Sequence, residues 1–156
     1  GWGLMEALAA LSLLSLGILG LLWAQGKSVL MWRSQQASEQ AAWLAQDLAE
    51  RLRANRTRIN AYQLGWGQKP MAVDCSQRPC TTSEWALSDL SAWVQEVQVR
   101  MPGAQTQVWV PPSDAQHLGI ALAWREPHTS AVPPDVWAPD LNCPAQHRCY
   151  FVHVRP

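Results

Sequence analysis

The chain has 156 residues, room for one modest domain beside a membrane segment but not for two full domains. Lys+Arg and Asp+Glu both stand at 12, so nothing points to a nucleic-acid partner held by bulk electrostatics. Hydrophobic residues make up 48% while mean hydropathy is only -0.14, so the apolar residues are concentrated, and they gather at the N-terminus.

Residues Ala7 to Trp23 read ALAALSLLSLGILGLLW. With Leu4 and Met5 the stretch reaches about 20 residues, the length that crosses a hydrocarbon core of about 30 Å. Its Ser hydroxyls can bond back to helix carbonyls and so cost little in a membrane. The run is longer than the apolar region of a typical signal peptide and flows into more helix instead of an A-x-A cleavage site. A membrane helix that stays with the protein is expected. Glu6 is the anomaly, because a carboxylate inside a bilayer costs about 2.5–3.5 kcal/mol and is usually paired. From position alone, a solvated interfacial Glu6 stands level with a paired one.

From Gln25 the chain turns polar but keeps helix formers. Ala41, Leu44, Ala45, Leu48 and Leu52 recur at helical spacing as one apolar stripe, and Asp47 and Arg51 form an i,i+4 charge pair. A single helix from about Leu4 to about Asn55, roughly 75 Å long, is predicted, greasy all round in its first half and amphipathic in its second. The basic residues Lys27, Arg33 and Arg51 to Arg58 read first as a solvated helix face, with lipid head groups or acidic neighbours as the alternative.

Asn60 to Ser83 shows no sustained period and reads as an irregular loop, with Trp66 either buried or a contact residue. Thr82 or Ser83 is expected to cap a second helix, with Leu90, Trp93, Val94, Val97 and Met101 as its buried stripe and Pro102-Gly103 as its stop. Thr106–Val110 and Leu118–Trp124 alternate as antiparallel strands across a Pro111–Asp114 turn, and Arg148–Val154 makes a last strand. Pro127 to Pro139 is expected as a surface loop.

The four cysteines allow three pairings. Two local bridges, Cys75–Cys80 and Cys143–Cys149, are favoured, since Pro and polar turn residues let each intervening stretch double back. Zinc is the weaker reading, because these gaps exceed the usual spacing of about two to four residues between paired ligands. His117, His128, His147 and His153 lie on separate turns and strands with no metal-ligand spacing and no acidic helper at a telling distance, so no metal is expected. Ser113 and Asp114 read as turn chemistry, not a nucleophile. No catalytic residue or cofactor is expected. Ten Trp against one Phe points to large amphipathic rings in the domain's core, or to a few exposed for protein contacts.

Gly1-Trp2-Gly3-Leu4-Met5-Glu6, followed at once by the apolar helix, is similar to the processing signal of type IV pilins and type II secretion pseudopilins. The resemblance implies that prepilin peptidase cuts after Gly1, that Trp2 becomes the N-methylated first residue where the family usually has Phe, and that Glu6 falls at the family's fifth position. It also implies a partner for Glu6, the N-terminal ammonium of a neighbouring subunit. Leu14-Ser15-Leu16-Gly17-Ile18-Leu19-Gly20-Leu21 and Ala45–Arg56 resemble the PilV family of minor pilins (type IV pilus modification proteins) in particular.

The expectation is therefore a pilin-like α+β fold, with a long N-terminal helix packed on a small antiparallel sheet. Residues 1–24 would be its membrane half, 25–58 its amphipathic half and 59–156 a periplasmic head. The expected function is a minor pilin that helps prime pilus assembly at or near the tip, with twitching motility and adhesion as its outputs. Its partners would be other minor pilins, the major pilin, prepilin peptidase and, before assembly, the inner membrane. A type II secretion pseudopilin and a membrane-tethered periplasmic domain are the alternatives.

Overall fold

The structure, a computed structural model, describes residues 1–112, 114, 116–125 and 141–155. Helix α1 runs from Trp2 to Ala54, as the unbroken helical pattern predicts. Two compact units divide within it, Gly1–Gln36 and Ala37–Pro156. The first unit is helix alone, and its described large apolar side chains are exposed.

The second unit has its own core. The predicted stripe is present: Ala41, Leu44, Ala45, Leu48 and Leu52 are buried, with Asp47 and Arg51 paired at 3.0 Å beside them. After α1 the chain makes a 3-10 segment, Arg56–Tyr62, where an irregular loop was expected to begin at Asn60. Helix α2, Thr82–Arg100, packs Ala86, Leu90, Trp93 and Val97 inward, while Val94 is only half-buried. Its cap is Thr81, not Thr82 or Ser83. The Thr81 hydroxyl accepts from the Glu84 amide, and the Glu84 carboxylate accepts from the Thr81 amide at 2.8 Å. This reciprocal pair satisfies two otherwise orphaned helix-end donors. The helix stops at Met101, and Gly103 supplies the positive φ of 81° that the exit requires.

Three antiparallel strands follow in the order β1 (Gln105–Trp109), β2 (Leu118–Arg125) and β3 (His147–Val154). Leu64 extends the sheet by an isolated bridge to Val108. Val108, Leu118, Ile120, Leu122 and Trp124 face the same core as α1 and α2. The alternation in β2 predicts a strand buried on one face, yet Leu118 through Trp124 are all buried. Trp66, Trp109, Leu141 and Phe151 cover the second face around Ala121. Gly119 makes room for this layer, since a Cβ there would lie 2.3 Å from the Trp109 ring.

Both local disulfides are present, Cys75–Cys80 and Cys143–Cys149. The whole is an α+β arrangement of pilin type, with a long N-terminal helix, a three-stranded antiparallel sheet and two local disulfides. The proline-rich stretch from Pro127 to Pro139, with His128, lies outside the described residues.

Candidate assembly surface

The residues expected to carry a processing signal stand together at the start of α1. Gly1 precedes the helix, Trp2 opens it, and Glu6 lies about one turn further on, exposed. Around and beyond them Leu4, Leu11, Leu14, Leu16, Leu19 and Trp23 are all more than half exposed. An apolar surface of this extent has no physical rationale in water and marks a segment that meets lipid or other protein. The helix is long and apolar enough to cross a membrane, with a mean hydropathy of 2.2 in its best window, none of it buried. Its polar hydroxyls are already satisfied within the helix. Ser12 donates to the Leu8 carbonyl at 2.8 Å and Ser15 to the Leu11 carbonyl at 2.7 Å. The surface can pack and pair charge.

The second unit holds the remaining candidates. The Trp93 indole donates to the Leu44 carbonyl at 2.7 Å, a buried bond from α2 to α1. Tyr62 donates to Asp89 at 2.7 Å, and Asn55 donates to the Thr82 carbonyl at 3.0 Å, so the end of α1, the 3-10 segment and the start of α2 are tied. Burial first, then the Asp89 carboxylate, pushes the Tyr62 phenol above its ordinary range. Arg78, inside the Cys75–Cys80 loop, reaches Glu84 at 2.6 Å. That guanidinium, with the Thr81 amide and hydroxyl, holds the Glu84 carboxyl down at about 2. On the surface the Arg100 guanidinium lies 4.6 Å above the Trp43 ring and bonds Glu96.

Of the described histidines, His117 precedes β2 while His147 and His153 stand at opposite ends of β3, and one expectation needs correction. His117 does have an acidic neighbour, Asp114 at 2.7 Å, in a turn where Asp114 also accepts from the Gln116 amide. This is the turn chemistry expected of Asp114, extended to a side chain three residues on. His147 bonds the Ala145 carbonyl, and His153 meets the Trp109 and Phe151 rings edge-on. Among the described residues no group of three His, Cys, Asp or Glu gathers as a metal site. Trp66 sits half-buried in the outer layer, so its two expected roles resolve toward packing.

Sequence reasoning missed the Trp43–Arg100 stack and the Tyr62–Asp89 bond, which join residues too distant in the chain to show a spacing. The Thr81-x-x-Glu84 box was legible, since Glu at the third position selects Thr81 from three adjacent hydroxyl residues.

Compared with protein-family models, residues 25–91 match the Tt1218-like family, described as type IV pilin Tt1218. No curated protein and no solved structure matches the chain. The matched stretch begins after the apolar run and ends inside α2. It therefore owes nothing to the Gly1–Glu6 motif, and it supports a type IV pilin-like protein with a pilin's structural role.

Proposed function

We propose that this chain is a minor pilin of the type IV pilus, a member of the complex that primes assembly at or near the fibre tip. The observation that carries the reading is one helix, Trp2–Ala54, whose first part is apolar and exposed on all sides while its later part builds a head core. A subunit that buries its greasy end against copies and relatives of itself needs that continuity. The PilV-like strings at Leu14–Leu21 and Ala45–Arg56 favour a minor over a major subunit.

In this reading prepilin peptidase cuts between Gly1 and Trp2 and methylates Trp2. The chain waits in the inner membrane with its disulfide-bonded head in the periplasm. It then enters the fibre through packing of Leu4–Trp23 and a charge contact from Glu6 to a neighbour's N-terminal ammonium. Pairing offsets the cost of a carboxylate in a dry environment and sets the register of the joining subunit.

The test is mass spectrometry of the N-terminal peptide in fibres sheared from cells, repeated for Glu6→Ala. A peptide beginning at N-methylated Trp2, present in native fibres and lost from Glu6→Ala fibres, is the expected result. Normal incorporation of Glu6→Ala would remove the role given to Glu6. Uncut chain found only in membranes would leave a tethered periplasmic domain. A secretion defect with pili intact would indicate a pseudopilin.

A further inference from the structure

We propose that Trp2 and Trp23 are paired interfacial anchors that set the depth of α1 in the bilayer before assembly, and that Glu6 is thereby held about one turn inside the Trp2 edge, from where its carboxylate reaches back to interfacial water. The proposal rests on the membrane-inserted stage of the function given above. Trp2 and Trp23 are 95% and 72% exposed, and no aromatic residue lies between them in the apolar run. They stand 23 − 2 = 21 residues apart in one helix, which is about 32 Å at 1.5 Å per residue. A bilayer's hydrocarbon core is about 30 Å thick, and tryptophan settles at its two edges. Beyond Trp23 the sequence turns to Gln25, so the second ring marks the end of the greasy run.

This register has consequences for Glu6. It lies four residues inside Trp2, about 6 Å along the axis. Its Cα is therefore just inside the hydrocarbon edge, within a side chain's length of the headgroup layer. Helical Cα–Cβ bonds tilt toward the N-terminus, so a glutamate leans back toward the Trp2 interface. Its carboxylate is then hydrated while the chain waits in the membrane and loses that water only on joining a fibre. The choice between a solvated and a paired Glu6 becomes a sequence of two states. The midpoint between the anchors is residue 12.5, whereas the apolar run Ala7–Trp23 by itself centres on Ser15.

Depth can be read by spin labels on the full-length chain in vesicles of phosphatidylethanolamine and phosphatidylglycerol. Single cysteines would replace Met5, Leu8, Leu13, Leu16, Leu19 and Gln25, leaving Glu6 in place, and the native cysteines are held in disulfides. The ratio of oxygen to nickel-chelate collisions is expected to peak at Leu13 and to be near-interfacial at Met5 and Gln25. Trp23→Leu should move the peak toward the C-terminus by up to about one turn, to near Leu16, as exposed Trp32 becomes the next anchor. A peak at Leu16 or beyond in the native chain, or one unmoved by Trp23→Leu, overturns the proposal. So does spin–spin broadening that grows with the protein-to-lipid ratio, which would mean a second copy covers this face. A chain with the expected profile that never enters fibres overturns the function instead, and a chain that does not partition into vesicles overturns both.

Discussion

Trp93 and Trp85 share helix α2 but carry different weights. Trp93 is fully buried and its indole N–H bonds the Leu44 carbonyl, whereas Trp85 is 47% exposed. Trp93→Phe keeps much of the ring but loses the bond, and should destabilise the head by about 1–3 kcal/mol. Trp85→Phe should stay within about 0.5 kcal/mol, as surface substitutions do. Urea titration followed by circular dichroism compares them directly, and equal losses would contradict the assignment of Trp93 as the tie between the helices. Protonation makes a second contrast. Glu84 is depressed from 4.5 to about 2 in the folded chain, so what it contributes is present above pH 4.5 and fades as pH falls toward 2. Tyr62 is raised above 10.0, so above pH 10 the unfolded chain releases its proton first and stability declines. Glu84→Gln should flatten the acid limb of a stability–pH curve and Tyr62→Phe the alkaline limb; a limb unaffected by its own variant would refute that attribution. Trp93 was legible from its place in the helical stripe, but its partner Leu44 was not, because 49 residues separate them.

At the scale of elements, local rules placed the secondary structure and non-local packing decided its burial. The α1 stripe was readable because helical spacing repeats within the element. The second buried face of β2 was not, because its cover comes from Trp66, Trp109, Leu141 and Phe151, scattered over the chain. Small residues at Gly119, Ala121 and Ala123 were the available signal, since they leave room for a layer above the strand. The two disulfides differ in the same way. Chain-entropy arguments give each short loop a similar value, about 2 kcal/mol. Yet Cys149 itself packs in the β2 outer layer, whereas the Cys75–Cys80 loop has a second hold through Arg78–Glu84. Replacing Cys143 and Cys149 by Ser should therefore open the head to limited proteolysis sooner than replacing Cys75 and Cys80. The reverse order of cleavage would show that the outer layer stands without its staple.

For the whole molecule, the resemblance at Gly1–Glu6 could be seen because its residues adjoin in sequence, while both the processing it implies and the partner on another chain stay at the level of proposal. The extent of the head is open to direct test. A division of the chain at 58/59 follows the expected end of the helical pattern, whereas the compact units divide at Gln36/Ala37. The physical difference is the stripe Ala41–Leu52, which supplies six fully buried or nearly fully buried residues to the core, Ala41, Leu44, Ala45, Leu48, Ala49 and Leu52. A fragment of residues 37–156 keeps that stripe and sheds only exposed helix. It should be soluble, unfold cooperatively and show the full-length head's urea midpoint within error. A fragment of residues 59–156 leaves Trp93, Leu90, Ile120 and Leu122 without the helix they share a core with. Removing several core side chains at about 2–5 kcal/mol each exceeds the total stability of a small domain. That fragment should bind hydrophobic dyes and lack a cooperative transition. If it folded as well as the longer one, the amphipathic half of α1 would be a stalk resting on an independent head, and the continuity of the helix would lose the structural reason given for it.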